Sequence, residues 1–174
     1  MRASMTRASS QIVGVVLIYA VSTLWLRGAL QLVDLALAVP LVWLTVEDLR
    51  KTEIPNLATV AVAAVGVLVL ATAPADQILV HGLGAAAVWA GFWAIGEAIF
   101  RWSGQEGLGQ GDAKLFAAGT LLLGLAALPM LVLLASCGGI AAVLLARSRG
   151  AVDRSAIPFG PFIGYAIYIL FLTG

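Results

Sequence analysis

Two aspartates in this sequence stand where carboxyl groups can do chemistry. Asp48 follows the apolar run 29–46, and Asp112 directly precedes the apolar run 113–127. Charged groups at a membrane are costly, so each one suggests a function. Two carboxyl groups close in space share one proton, because both cannot ionise at short range. One then acts as a general base on a water molecule, while the other donates its proton to the carbonyl oxygen under attack.

The composition indicates that lipid surrounds most of the chain. Of the 174 residues, 61% are hydrophobic and 11% are charged, and the mean hydropathy is +1.03. A soluble domain of this size leaves much of its surface in water and cannot bury so much apolar side chain. A soluble enzyme, a disordered tail and a nucleic-acid-binding module are therefore excluded.

The apolar runs predict an all-α, polytopic membrane helix bundle of about seven transmembrane helices, each needing about 20 mostly apolar residues. They cover residues 11–26, 29–46, 57–73, 78–100, 113–127, 130–146 and 159–173. Turns are expected at Arg27-Gly28 and near Gly124 and Pro129. Two complete crossings separate the two aspartates, so both are predicted to lie at the same membrane face.

The basic residues predict the orientation. With a cytoplasmic N-terminus, nine of the ten lysines and arginines lie at cytoplasmic ends and only Arg27 lies outside, which is a strong positive-inside pattern. The C-terminus is then outside, and Asp34 is predicted to be interfacial. We divide the chain into a cytoplasmic tail with an extra helix, 1–27, and a core, 28–174. A cleavable signal peptide is the alternative for the first run, but residues 22–26 lack a small-x-small cleavage pattern.

Glycines surround the second aspartate. Gly109 and Gly111 remove side chains on the approach to Asp112, so a substrate backbone can come close, and they permit positive φ angles. Asp112 at a helix start is favoured as an anion, whereas Asp48 near a helix end is disfavoured. This predicts that the shared proton rests more often on Asp48. The alternative for Asp112 is a simple helix cap.

Other polar residues near the two aspartates have structural explanations as well. Pro55 is expected to end the second helix, and Asn56 to cap the third. Lys114 cannot face Asp112 on a helix and is interpreted as an interfacial cation. Glu97 precedes Arg101 by four residues, which favours a helical ion pair. It also remains a candidate to line the site.

The motifs around both aspartates resemble the paired signature of the type IV prepilin peptidases, aspartic membrane proteases with a GxGD motif. The residues that carry this resemblance are Asp48, Ile54-Pro55-Asn56, Gly109-x-Gly111-Asp112-x-Lys114 and Pro158-Phe159-Gly160-Pro161. The resemblance covers about residues 46–174. It implies that Asp48 and Asp112 are the catalytic pair and that the other motif residues support them.

The resemblance also implies a substrate and a location. The substrate is a prepilin or pseudopilin, cut between a short basic leader and its hydrophobic helix at the cytoplasmic face of a bacterial inner membrane. Larger family members carry an N-terminal insert with paired cysteines, associated with methylation of the new N-terminus. This chain has one cysteine, Cys137, so we expect peptidase activity without N-methyltransferase activity. The short form looks most like the peptidases of Flp-type, tight-adherence pili.

A non-enzymatic role is the alternative. A small membrane transporter, or an assembly component of a secretion or pilus system, could use the two carboxylates to bind protons or to stabilise packing. A transporter should place polar groups near the midplane, whereas these acids cluster at one interface. With His81 and Cys137 as the only imidazole and thiol, neither a metal nor a cofactor is expected. The expected partners are the substrate and the bilayer, with no nucleic acid.

Overall fold

The structure is a computed structural model that describes residues 2–104, 109–149 and 158–174, with side chains described from Ile12 onwards. Some residues that bear on the predictions are not among these. Gly107, the side chains of Arg2 and Arg7, and the loop residues 150–157 lie outside the described residues.

The described residues form an all-helical bundle, as predicted. Its seven α-helices are α1 (Arg2–Arg27), α2 (Leu32–Lys51), α3 (Asn56–Leu70), α4 (Ala75–Ser103), α5 (Gln110–Leu123), α6 (Leu128–Ser148) and α7 (Gly160–Thr173). One 3₁₀ turn, Leu125–Ala127, joins α5 to α6. The helix count inferred from the apolar runs is confirmed for the described part of the chain.

Glycine and proline end the helices at two of the predicted breaks. Gly28 follows α1 with φ 72°, and Gly124 follows α5 with φ 84°, a region that glycine enters without steric cost. Pro129 lies in the first turn of α6. The prediction that Pro55 ends α2 was wrong. The helix ends at Lys51, because Thr52 turns left-handed with φ 54° and its N–H bonds to the Asp48 carbonyl.

The outer surface of the bundle is apolar. Trp25 is 83% exposed and Leu32 is 87% exposed, which suits a surface solvated by lipid. By length and composition, two described helices can cross a bilayer, namely Ala75–Ser103 and Leu125–Ser148. Three shorter helices, Ile12–Arg27, Asn56–Leu70 and Gly160–Thr173, are also apolar. These features fit a helical membrane bundle.

Helix α5 lies at the centre of the bundle and packs against α3, α4 and α7. Its Leu115 and Phe116 are almost fully buried. A Cβ on Gly119 would lie 2.8 Å from Ile167 Cγ1, so the absence of a side chain lets α5 and α7 approach closely. This contact fixes the helix that carries Asp112 against the last described helix.

The extra helix α1 packs against α2 and α7. Its Thr23 hydroxyl lies 2.5 Å from the Tyr168 hydroxyl of α7, and its Ser22 hydroxyl lies 2.9 Å from that of Tyr165. The Tyr19 ring packs between these two tyrosines, with centroid distances of 4.7 Å to Tyr168 and 5.7 Å to Tyr165. The described part of α1 therefore belongs to the packed bundle.

An ion pair joins α1, α2 and α7 at the end of the bundle opposite Asp48. Arg27 Nη1 lies 3.0 Å from Asp34 Oδ1, and Asp34 is fully buried. Arg27 also donates to the carbonyls of Phe171 and Leu172 at the end of α7. The interfacial position of Asp34 stays a prediction, since it concerns depth in the membrane; within the bundle its carboxylate is buried and paired with Arg27 rather than solvated.

Removing one member of this pair should destabilise the bundle. Arg27→Leu leaves the Asp34 carboxylate buried without its partner, and such a change costs about 3–5 kcal/mol. The double variant Arg27→Leu/Asp34→Leu removes both charges and should recover most of this loss. Thermal unfolding in detergent micelles measures the difference. Equal midpoints for Arg27→Leu and the parental protein would contradict this account.

Candidate active site

Asp48 lies in the last turn of α2, and its position is fixed by α7. The residue is 3% exposed, and its Oδ2 accepts a hydrogen bond of 2.9 Å from the backbone N–H of Gly160. Gly160 is the first residue of α7, where backbone N–H groups have no partner within the helix. A carboxylate is the natural acceptor at such a helix start. The start of α7 thus orients one carboxyl group of the pair.

Asp112 lies in the first turn of α5, as the sequence predicted. Its side chain is half-buried, and it accepts a hydrogen bond from the backbone N–H of Gly109, the residue that precedes α5. A capping role and a catalytic role are therefore compatible here, because one carboxylate oxygen can cap the helix while the other faces the cavity.

The two glycines before Asp112 act through packing rather than through positive φ. Gly109 has φ −63°, and Gly111 is part of α5, so neither residue uses the positive φ angles that glycine permits. A Cβ on Gly111 would lie 3.0 Å from Ile54 Cβ, and one on Gly109 would lie 3.2 Å from Asp112 Oδ2. The glycines leave room for the Ile54 side chain and for the aspartate itself.

Asn56 and Lys114 form a hydrogen-bonded pair across the site. Lys114 Nζ donates to Asn56 Oδ1 at 2.9 Å. Asn56 is the first residue of α3, and no side chain caps that helix. The prediction that Asn56 caps α3 was therefore wrong, because its amide oxygen is used by Lys114. The pair ties the start of α3 to the first turn of α5.

Both aspartates line one cavity of about 490 Å³. Seven of the predicted site residues surround it, namely Asp48, Asn56, Gly109, Gly111, Asp112, Lys114 and Pro158. Thr52, Glu53, Ile54, Gln110 and Phe159 complete its lining. The sequence motifs, which are far apart in the chain, therefore meet in one place.

The remaining predicted site residues lie next to this cavity. Pro55 precedes α3, and Pro161 lies in the first turn of α7. Gly160 contacts Asp48 directly. Glu97 lines a neighbouring cavity that also includes Gly109. Glu97 accepts a 2.9 Å hydrogen bond from Arg101, as the four-residue spacing predicted.

Both carboxyl groups lie just beyond the apolar segments 29–46 and 113–127, and the pKa of each is raised. Burial raises the pKa of Asp48, and the hydrogen bond from Gly160 opposes this rise. Burial and then the negative charge of Asp48 raise the pKa of Asp112 to about 6, against the bond from Gly109. These interactions favour Asp112 as the holder of the shared proton, opposite to the expectation from the helix ends.

Ile54 and Phe159 were noted in the sequence only as members of motifs, with no individual role assigned to them. Ile54 packs where side chains on Gly111 and Gly160 would otherwise extend, since a Cβ on Gly160 would lie 3.2 Å from Ile54 Cδ1. Phe159 lines the cavity and packs near Phe116 of α5, with a centroid distance of 6.4 Å. Both residues could have been identified from the sequence, because they lie inside motifs that had been noted for their neighbours.

Among the described residues, no group of three or more His, Cys, Asp or Glu side chains is placed to hold a metal ion. The polar groups that line the cavity are two carboxyl groups, an ammonium–amide pair, Thr52, Glu53 and Gln110. Two aspartates that each accept a backbone N–H bond and each have a raised pKa can activate water against a carbonyl carbon.

Comparisons with known proteins show which sequences the chain resembles. The chain is 36% identical over 101 residues to the prepilin leader peptidase/N-methyltransferase of Pseudomonas aeruginosa, covering 57% of this chain and 33% of the relative. It is 35% identical over 135 residues to the Aeromonas salmonicida protein of the same name, covering 77% and 46%. For the Pectobacterium carotovorum protein of that name, identity is 32% over 145 residues, covering 83% and 52%.

The chain thus spans about half the length, or less, of these curated relatives. No solved structure matches it. Residues 35–144 match the Type IV leader peptidase family, and this segment holds both aspartates, four further predicted residues of the cavity (Asn56, Gly109, Gly111 and Lys114) and most of the helices that position them. The chain therefore belongs to the type IV leader peptidase family.

Proposed function

We propose that this chain is an aspartic endopeptidase that removes the short basic leader of prepilin-like proteins at a membrane face. The observation that carries the proposal is the meeting of Asp48 and Asp112 in one cavity, where the charge of Asp48 raises the pKa of Asp112. Two carboxyl groups that share one proton can hydrolyse a peptide bond, because the ionised group activates a water molecule and the protonated group acts as the acid. The names of the relatives supply the substrate class.

In the first step, the ionised Asp48 takes a proton from a water molecule. The water oxygen bonds to the carbonyl carbon of the scissile peptide, and Asp112 gives its proton to the carbonyl oxygen. The Gly160 N–H bond to Asp48 Oδ2 stabilises the ionised form of that group before the reaction. The product of this step is a neutral gem-diol.

In the second step, the gem-diol collapses and the C–N bond breaks. One diol hydroxyl returns its proton to Asp112, and Asp48 passes the proton it took from water to the leaving amine nitrogen. The pair regains its starting protonation state, with one proton on Asp112. No cofactor is needed in either step, because every proton that leaves one group arrives at another.

The proposed location is a bacterial inner membrane, with the N-terminus in the cytoplasm, the C-terminus outside and the active site at the cytoplasmic face. The bias of lysine and arginine toward one face supports this orientation. We restrict the activity to peptide hydrolysis. In support, the 174-residue sequence contains a single cysteine, Cys137. The proposed setting is an Flp-type pilus system.

The test is co-expression of this chain with a type IV prepilin, followed by mass measurement of the pilin N-terminus. The expected product lacks the leader and carries an unmethylated N-terminus. An intact leader on every prepilin tried, with the protein present in the membrane, would instead favour the non-enzymatic alternative of a transporter or assembly component.

Cleavage should depend on pH through the shared proton. The pKa of Asp112 is raised to about 6, so its acidic form is lost as pH rises through about 6, and both groups then become anions. At low pH, Asp48 gains a proton and no base remains. We therefore expect a bell-shaped profile of kcat/KM, with an alkaline limb falling about tenfold per pH unit. Constant kcat/KM from pH ~6 to ~8 would contradict this assignment.

A further inference from the structure

An apolar furrow runs along the outside of the bundle between α3 and α4. Both helices pack against α5 but scarcely touch each other, so α5 forms the floor of the furrow. Its volume is about 530 Å³. Val60 of α3 and Trp89 of α4 form its sides, and alanines such as Ala117 form its floor.

Small side chains make this furrow suitable for a helix. Ala63 of α3, Ala86 of α4 and Ala117 of α5 face into it. Alanine lets the backbones of two helices approach closely within a membrane, where van der Waals packing drives helix association. A larger side chain at any of these positions would fill the space.

The furrow leads directly into the catalytic cavity. Asn56 and Lys114 line both spaces, and their hydrogen bond marks the boundary between them. From Lys114 to Leu121 the furrow follows two turns of α5, or about 10 Å. An elongated apolar segment that begins at the catalytic cavity fits this shape.

Two other apolar depressions lack this continuity. The groove between α1 and α2 shares no lining residue with the catalytic cavity, and the one along α6 shares only Phe159. Neither follows the helix that carries Asp112. Among these three, the furrow along α5 alone combines apolar walls with a polar end, Asn56 and Lys114, that also lines the cavity of the aspartates.

We propose that this furrow binds the apolar helix of the substrate, whose first turns lie along α5 next to the scissile bond. The inference rests on the proposed peptidase function and adds a binding site to it. A substrate helix packed along α5 would hold the scissile bond at the cavity beyond Asn56 and Lys114. Selectivity for a cut next to an apolar helix would then come from the furrow rather than from the aspartates.

Matched substitutions test this site. Ala63→Leu and Ala86→Leu fill the furrow. Ala64→Leu and Ala87→Leu add the same side chain one position later, at exposed sites outside it. We expect kcat/KM for a full-length prepilin in micelles to fall at least about tenfold for the first two variants. The two control variants should stay within about twofold of the parental protein. Equal values for all four variants would overturn the inference.

A second measurement does not depend on cleavage. A photoreactive benzoylphenylalanine at position 86 of the Asp112→Asn variant should cross-link to the apolar segment of a co-expressed prepilin, whereas the same group at position 87 should not. Cross-links to lipid alone, or equal prepilin cross-links from both positions, would overturn the furrow as the docking site. Failure of the parental protein to cleave would refute the proposed function separately, since the cross-linking result stands without it.

Discussion

Asp48→Asn and Asp112→Asn should each abolish leader cleavage while the bundle stays folded. Asparagine keeps the shape of aspartate but can neither take a proton from water nor supply one to the carbonyl oxygen. General acid–base groups contribute about 10²–10⁴-fold to a rate, and a dyad that has lost one member loses its water activation. We therefore expect cleavage to fall at least about a thousandfold in each variant.

The double variant Asp48→Asn/Asp112→Asn separates a dyad from two independent groups. Residues that act as a unit are not additive, so the double variant should be no slower than either single variant. Mass measurement of the prepilin N-terminus after co-expression gives the rates, and the amount of protein in the membrane gives the control. Parental cleavage by either single variant would refute the two-aspartate mechanism.

Gly160→Ala should cause the second large loss of activity. A Cβ at this position would lie 2.8 Å from Asp48 Oδ2 and 3.2 Å from Asp48 Cγ, so the carboxyl group must move. The hydrogen bond from the Gly160 N–H is then stretched or lost. A misplacement of about 1 Å in a catalytic group can cost about 10²-fold in rate, and we expect a loss in kcat of that size.

Gly164→Ala is the matched control in the same helix. A Cβ there would lie no closer than 3.5 Å to Leu41 Cδ2 or the Tyr19 hydroxyl, which is ordinary contact. Both changes replace glycine by a better helix former, so neither should lower the unfolding temperature much. Equal kcat for the two alanine variants would show that the Gly160 contact does not position Asp48.

The helices could be predicted from the sequence because apolar run length and glycine or proline breaks depend on nearby residues alone. The breaks at Gly28 and Gly124 illustrate this. The end of α2 could not be predicted from Pro55, because Thr52 ends the helix earlier through its own left-handed conformation. A proline marks where a helix must have ended, but a C-cap decides where it does end.

The residues that meet in the candidate site could be predicted from the sequence, whereas their contacts could not. Asp48 and Asp112 stood out because an even number of apolar runs separates them. Their proton preference depends on burial and mutual charge, which helix ends alone do not reveal. Likewise, Asn56 matched a cap by residue type, yet its partner is Lys114, 58 positions away. The sequence also did not reveal that Asp34, near the start of α2, is buried and pairs with Arg27.

The hydrogen bond between Asp48 and Gly160 also has a consequence for biosynthesis. The two residues are 112 positions apart, so Asp48 is made and inserted long before its donor leaves the ribosome. A nascent chain that has placed α2 and α5 already contains both carboxyl groups, but the Asp48 carboxylate has no Gly160 N–H to orient it. On the proposed mechanism, the aspartate pair is therefore fully positioned only when α7 has packed, and we expect a ribosome-bound intermediate that stops before residue 160 not to cleave.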